Sequence, residues 1–231
     1  MKITVFGAGG ATGRLLARQA LDAGHAVTAV TRRPAEFPLA GERLTVIGAD
    51  VSDGAAVTPA IAGADAVLSS LGVPFTRAPI TVYSQGTARI LEAMARHGVK
   101  RLAVVSSTAV DPHPHSEGGF VLNRIMQPMI ARTIGRTTYA DMRAMEGIVR
   151  ESGAEWTIIR SAGLFDADRV SRYTVSESPL DGVFTSRADL ADCLLTQATG
   201  RSLVGRTVEI TTGENAPTLL RVIRREAFGR D

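Results

Sequence analysis

The sequence predicts an α/β fold, a doubly wound parallel sheet with helices on both faces. Short apolar runs alternate with segments of helical period, which is typical of strands joined by crossover helices. The 231 residues suit one domain with a full core. A hydrophobic content of 45% with 21% charged residues is ordinary for a globular chain. We therefore expect a single domain over residues 1–231, in which residues from about 163 to 231 contribute a small portion on the substrate side.

The apolar runs supply the predicted strands in chain order. These are KITVF (2–6), HAVTAVTR (25–32), LTVIGAD (44–50), DAVLSSLG (65–72), KRLAVVSS (100–107), EWTIIR (155–160) and RTVEITT (206–212). Three helices are predicted in the first half of the chain: over 11–24, near 53–61, and over a segment that ends at Gly98. Two more are predicted between the loop at 111–119 and residue 152. The last two are predicted near 186–198 and after Pro217. In the pair before residue 152, the second helix is predicted over about Tyr139 to Ser152.

Composition argues against several function classes. The formal net charge of +3 is spread thinly, which gives no support for a nucleic-acid partner. The single cysteine, Cys193, excludes an internal disulfide and fits a reducing compartment. No segment resembles a signal peptide, and no apolar run approaches the roughly 18 residues that cross a bilayer. We expect a cytoplasmic protein without a membrane partner.

Four glycines follow the first strand in VFGAGGATG. Gly7 can turn the chain out of the strand, Gly10 lets backbone N–H groups approach a diphosphate, and Gly13 lets the helix lie close to the sheet. Gly9 is additional, and Thr12 stands where a GxGxxG spacing would have its third glycine. A glycine-rich turn without a ligand is the alternative. The predicted dinucleotide contacts at this Rossmann-type turn are Gly7, Gly10, Ala11, Thr12 and Gly13.

The end of the second predicted strand reads TRRP. Arg32 and Arg33 stand where an acidic residue would hold a ribose 2′-hydroxyl, and no Asp or Glu occurs before Glu36. Guanidinium groups match a 2′-phosphate, which an acid would repel. The pair favours NADP(H) over NAD(H) as the cofactor; two solvated surface arginines are the alternative.

The chain resembles the atypical short-chain dehydrogenases/reductases, in the NAD(P)H-binding group that includes NmrA-like proteins and flavin/biliverdin-IXβ reductase. The resemblance covers nearly the whole chain and depends on GAGGATG, TRRP, GADVSD, VLSSLG, VVSS, YADMRAMEGIVRESGAEWTIIRSAGL and SRADLA. It implies that Asp50 and Val51 lie beside the adenine, that Leu71 and Gly72 pass along the ribose and diphosphate, and that Ser106 and Ser107 reach the nicotinamide edge. Without it, Asp50 could equally be a loop or cap carboxylate.

Many short-chain reductases use a tyrosine proton donor with a lysine four residues later. Tyr139 is followed at that distance by Arg143, but taking Glu146 as the helix anchor of the family puts the two positions at Thr138 and Met142. The usual pair is therefore expected to be absent. Tyr139 stays a candidate proton donor, with a place in the core or at the helix start as the alternative.

Ser107 is the second catalytic candidate, since its hydroxyl could bond a substrate carbonyl or a flavin edge. Its alternative is a strand end bonded to backbone. Arg160 precedes Ser161, where the family has proline, and either braces the site or contacts the cofactor. Arg187 and Asp189 are expected to act structurally at a helix start. His113 and His115 lack ligand partners at metal spacing, so no metal site is expected.

These residues favour an NADPH-dependent reductase that transfers hydride to a planar acceptor such as a flavin, quinone or enone. An NADP-sensing regulator without turnover is the alternative, and an NAD(P)-dependent isomerase or epimerase is a weaker one. The expected partner is a small-molecule substrate, and a homodimer is left open. Because aromatic residues make up 5% of the chain, Leu, Met and Val are expected to line the substrate pocket.

Overall fold

A computed structural model describes residues 1–74, 76, 78–113 and 135–213. The strands in these ranges are β1 (Lys2–Phe6), β2 (Ala26–Thr31), β3 (Leu44–Gly48), β4 (Ala66–Ser69), β5 (Arg101–Ser107), β6 (Glu155–Ser161), β7 (Gly163–Phe165), β8 (Tyr173–Ser176), β9 (Phe184–Ser186) and β10 (Arg206–Thr212). The α-helices are α1 (Ala11–Asp22), α2 (Gly54–Ile61), α3 (Ser84–His97), α4 (Arg136–Glu151) and α5 (Arg187–Thr199). Two short 3-10 turns cover Pro34–Glu36 and Thr108–Val110.

The main sheet has the order β3-β2-β1-β4-β5-β6-β10-β8 within the described residues. Every pairing in it is parallel except that of β8 with β10, which is antiparallel. The order 3-2-1-4-5-6 is that of a doubly wound dinucleotide-binding sheet, so the predicted fold class is confirmed. The sequence prediction missed β7, β8 and β9, because these strands have only three or four residues.

Side chains alternate between the two faces of the sheet, as the strand period of two requires. In β1, Phe6 faces a core that includes residues of α2, α3 and α4, while Ile3 and Val5 face a second core that includes residues of α1 and α5. Each core is therefore closed by its own layer of helices, and the carboxyl ends of the parallel strands stay open at one edge.

The predicted helices agree with α1, α2, α3, α4 and α5, although α4 begins three residues earlier than expected, at Arg136. The other helix predicted before α4, the helix predicted after Pro217 and His115 lie outside the described residues. Among the helices that are described, none combines the length and the apolar character that crossing a membrane would need.

Candidate functional site

A cleft of about 990 Å³ opens at the carboxyl ends of β1, β2, β4, β5 and β6. Ligands of doubly wound sheets bind at this edge. The sequence-predicted residues that line the cleft are Gly7, Gly10, Ala11, Thr12, Arg32, Arg33, Asp50, Val51, Leu71, Gly72, Ser106, Ser107 and Tyr139. Gly13 and Arg160 are not part of its lining.

Two of the four early glycines, Gly7 and Gly13, are required by backbone packing, and Gly9 lies against a side chain. Gly7 has φ +75°, and a Cβ there would lie 2.6 Å from the carbonyl oxygen of Ser70. A Cβ on Gly13 would lie 2.2 Å from the Gly7 carbonyl oxygen, and one on Gly9 would lie 2.5 Å from Thr31 Oγ1. A Cβ on Gly10 would meet nothing closer than 3.3 Å. Gly10 is thus the glycine that the fold itself needs least.

The N-terminus of α1 is left without a side-chain cap. Gly10 is the N-cap residue, makes no side-chain cap bond, and the first turn holds no acidic residue. Asp53 caps α2 and Ser186 caps α5 through their own side chains, whereas the N-cap residues of α3 and α4, Tyr83 and Gly135, make no such bond. An uncapped helix start presents unpaired N–H groups and a partial positive charge, which together suit an anion such as a diphosphate.

Basic side chains line the adjoining part of the cleft. Arg33 pairs with Glu36 at 3.1 Å, but the two side chains are 73% and 64% exposed, so this pair holds Arg33 only weakly. Arg32 lies beside it and is exposed. Arg14, which the sequence prediction left out, also lines the cleft and donates from Nε to the Gly9 carbonyl at 3.0 Å. Three arginines therefore line the cleft that the glycine turn also borders.

Asp50 lies in the same region and is exposed. Its Oδ1 accepts hydrogen bonds from the backbone N–H of Ser52 at 2.9 Å and from Ser52 Oγ at 2.6 Å. These bonds, together with the charge of Arg32, outweigh the small effect of burial and hold the pKa of Asp50 below its ordinary value. The carboxylate is thus ionised and oriented by its own loop.

Ser107 ends β5 at the far side of the cleft. Its Oγ accepts a hydrogen bond from the Ala109 backbone N–H at 3.2 Å. A hydroxyl that accepts through its oxygen keeps its own hydrogen to donate. The backbone bond expected as the alternative therefore exists, and it does not use the hydroxyl hydrogen of Ser107, which lines the cleft.

Behind the cleft, Glu146 of α4 joins three elements. Its Oε1 accepts from Ser106 Oγ at 2.7 Å and from Arg160 Nε at 3.0 Å, while Oε2 accepts from Arg160 Nη2 at 2.8 Å and from Arg150 Nη2 at 2.7 Å. Burial would raise the pKa of Glu146, but these bonds and the Arg160 charge more than offset burial and lower it. Arg160 also reaches Asp111 at 3.3 Å. Arg160 therefore links β6 to α4 through its bonds to Glu146.

Tyr139 lines the cleft from the first turn of α4. Burial, and next the neighbouring Tyr83, raise the pKa of the Tyr139 phenol. Arg143, one turn further, donates to the Val110 carbonyl. Tyr139 thus stays a protonated phenol at neutral pH, and no lysine follows it at the spacing that would activate it.

The walls of this part of the cleft are apolar. Val73, Val82, Met142 and Leu164 fit the expectation of aliphatic walls, but Tyr83, Tyr139 and Phe184 also line the cleft. The expectation was therefore wrong in leaving out aromatic residues. The chain has few of them, but the fold brings several to this cleft. A planar ring can stack in such a setting.

Arg187 and Asp189 occupy the start of α5, as predicted. The Asp189 backbone N–H bonds to Ser186 Oγ at 3.0 Å, and its buried carboxylate accepts from Ser171 and Thr212. Arg187 pairs with Asp166 at 2.8 Å. These contacts tie the C-terminal elements to the main sheet.

Residues 7–200 match a protein-family model described as NAD(P)H-binding. The chain is also 31% identical over 158 residues to the (4-alkanoyl-5-oxo-2,5-dihydrofuran-3-yl)methyl phosphate reductase of Streptomyces griseus, a match that covers 68% of this chain and 46% of that protein. The chain spans between 12% and 59% of the length of the first curated relatives that it matches.

Solved structures share the fold. A short-chain dehydrogenase/reductase from Veillonella parvula in complex with NADP superposes with a TM-score of 0.77 at 16% identity, covering 94% of this chain and 97% of that one. ChuY, an anaerobillin reductase from Escherichia coli O157:H7, superposes with a TM-score of 0.71 at 18% identity, covering 94% and 100%.

Proposed function

The chain belongs to the NAD(P)H-binding family, and on this premise we propose that it is an NADPH-dependent reductase that transfers hydride to a planar acceptor such as a flavin, quinone or enone. The observation that carries the proposal is the uncapped start of α1, which opens into the same cleft as Arg14, Arg32 and Arg33. NADP(H) carries a diphosphate and a 2′-phosphate. The backbone amide groups at the start of α1 would bind the diphosphate, and the guanidinium groups would bind the 2′-phosphate. The residues present fit this cofactor.

NADPH would supply the hydride, and the protein's part is placement, polarisation and exclusion of water. The Ser107 hydroxyl would donate a hydrogen bond to an acceptor oxygen at the nicotinamide end. Tyr139 keeps its proton at neutral pH but has no neighbouring lysine to lower its pKa. Acceptors whose reduced form gains its proton readily from solvent therefore suit this site best, which favours flavins and quinones.

The relatives support a reductase of small carbonyl-bearing rings. The Streptomyces griseus enzyme is named for an oxo-dihydrofuran substrate that carries an alkanoyl group, and the Veillonella parvula structure holds NADP. The substrate of the Streptomyces griseus enzyme supports the acceptor class, and the bound NADP of the Veillonella parvula structure supports the cofactor.

The purified protein is expected to oxidise NADPH steadily when FMN or menadione is present, with a turnover of about 1 to 10 per second. The rate is followed through the absorbance of the reduced nicotinamide, with NADPH plus acceptor without protein as the control. Tight cofactor binding without turnover across a broad panel of quinones, flavins and enones would contradict the reductase and favour the NADP-sensing alternative.

Exchanging Arg32 and Arg33 together for alanine is expected to weaken NADPH binding about 10- to 100-fold, because charge-assisted bonds to the 2′-phosphate are lost. NADH lacks that phosphate, so its affinity should change by less than about threefold. Titration calorimetry with both cofactors measures the difference. Arg18→Ala is the matched control, because Arg18 is exposed on α1 and lies outside the cleft. An equal loss for NADPH and NADH would contradict the assignment of the 2′-phosphate.

A further inference from the structure

Arg187 lines the cleft from the start of α5, whereas the other arginines of the lining, Arg14, Arg32 and Arg33, belong to the first part of the chain. It is the first residue of α5 and follows the N-cap residue Ser186 directly. A positive side chain in the first turn of a helix is repelled by the partial positive charge of the helix start. The helix alone therefore does not explain an arginine at this position.

The guanidinium group of Arg187 is only partly engaged. Its Nη1 donates to Asp166 Oδ1 at 2.8 Å, and it forms no other hydrogen bond within the described ranges. The Arg187 side chain is 26% exposed and that of Asp166 is 71% exposed. A carboxylate so open to water holds a cation weakly. Arg187 therefore keeps most of its N–H donors for another anion.

The ion partner of Arg187 lies beside the start of α1. Asp166 borders a second, smaller cavity of about 350 Å³ together with Ala11, the first residue of α1. Ala11 and Arg187 in turn both line the main cleft. The helices α1 and α5 also contribute to the same core on one face of the sheet. Arg187 is thus placed near the uncapped helix start that suits a diphosphate.

A diphosphate at this helix start would be short of positive charge. The start of a helix offers the equivalent of only about half an elementary charge, whereas each phosphate of the diphosphate carries a full negative charge. Arg32 and Arg33 are proposed to bind the 2′-phosphate, and Arg14 already donates from Nε to the Gly9 carbonyl at 3.0 Å. A guanidinium from α5 would supply the missing charge.

We propose that Arg187 is a cofactor-binding residue that exchanges the Asp166 carboxylate for the diphosphate of the bound dinucleotide. The proposal rests on the cofactor of the proposed function and is independent of the hydride acceptor. Bonds between guanidinium and phosphate are charge-assisted and often bidentate, so they are stronger than an ion pair with an exposed carboxylate. Asp166 then holds Arg187 before the cofactor arrives and competes with the cofactor for it.

Arg187→Gln removes the charge and keeps a polar side chain. We expect the affinities for NADP⁺ and NAD⁺ to fall together by about tenfold, because both cofactors carry the diphosphate. The exchange of Arg32 and Arg33 should instead affect only the cofactor that has a 2′-phosphate. Titration calorimetry with the two oxidised cofactors measures the difference and needs no turnover.

Asp166→Asn breaks the same ion pair from the other side. The affinities for NADP⁺ and NAD⁺ should rise by about threefold, because Arg187 is released and a charge that repels the diphosphate is lost. A purely structural ion pair predicts that both variants weaken binding alike. The melting temperatures of the two variants should be similar, since each loses the same exposed pair.

Arg201→Gln is the matched control. Arg201 pairs with Glu155, its side chain is 74% exposed, and it does not line the cleft. This variant should bind both cofactors as the wild type does.

The proposal is overturned if Arg187→Gln leaves both cofactor affinities unchanged, or if Asp166→Asn lowers them as much as Arg187→Gln does. It is also overturned if Arg187→Gln weakens only the binding of FMN, since the anion would then belong to the acceptor. A wild type that binds NADP⁺ through Arg187 but reduces no acceptor would refute the reductase function and support this role of Arg187.

Discussion

Gly13→Ala is expected to destabilise the protein by about 3 kcal/mol or more and to abolish NADP(H) binding. The added Cβ would lie 2.2 Å from the Gly7 carbonyl oxygen and 2.8 Å from Ala8 Cα. Both atoms belong to the backbone, so relief requires the whole turn between β1 and α1 to move. Urea unfolding followed by circular dichroism measures the loss, and calorimetry with NADP⁺ tests the binding.

Gly147→Ala is the matched control for this change. Gly147 lies inside α4, and a Cβ there would meet no atom within 4 Å among the described residues outside the helix's own backbone. Alanine favours a helix over glycine, so this variant should gain up to about 1 kcal/mol. The same chemical substitution in two helices is thus expected to have opposite signs. A Gly13→Ala variant as stable as the wild type would contradict the close approach of α1 to the turn.

Glu146→Gln is expected to cost about 3 kcal/mol of unfolding free energy, because breaking a buried ion pair leaves the other charge without compensation. The Glu146 side chain is 1% exposed and that of Arg160 is 13% exposed, while Asp111, the other partner of Arg160, is 78% exposed. Asp111 therefore compensates Arg160 poorly. Denaturant unfolding at neutral pH measures the cost.

The control for Glu146 is Glu92→Gln on α3. Glu92 pairs with Arg89 and Arg96, but its side chain is 46% exposed, and surface pairs contribute little. A loss of less than about 0.5 kcal/mol is expected there. Similar losses in the two variants would mean that the burial of Glu146 has no energetic consequence.

The contribution of Glu146 should also depend on pH. Its pKa in the folded protein lies below the ordinary value of 4.5, so the folded state favours the carboxylate. The stabilisation is complete above the ordinary pKa and is lost as pH falls through the lower folded value. The stability gap between the wild type and Glu146→Gln should therefore be constant near neutral pH and narrow below about pH 4.5. A gap that widens on acidification would contradict the lowered pKa.

Local sequence patterns were enough to predict the parallel sheet and its main helices. The glycines of the first turn, the strand KITVF and the helical spacing after it are all local signals, and the structure places them as expected. The short strands β7, β8 and β9 were missed because three or four residues are too few to show a clear period. The antiparallel edge strand β8 could not be recognised for the same reason.

The contacts of the site residues were harder to predict from the sequence than the fold was. Arg160 and Glu146 are 14 residues apart and lie on different elements, so no local pattern shows that they pair. Ser107 could be placed at a strand end, yet the state of its hydroxyl depends on the turn that follows it. No sequence signal separates Arg14 from the other polar residues of α1.

Asp141 of α4 accepts hydrogen bonds from the backbone of Tyr83 and Ser84, and so caps the beginning of α3. Val82 and Tyr83 at that helix start, and Thr138, Tyr139 and Met142 on α4, all border the cleft. One carboxylate therefore links the start of α3 to α4 where both helices border the cleft. A larger ligand between these two helices would require smaller side chains on them, because separating the helices would break the hydrogen bonds of Asp141.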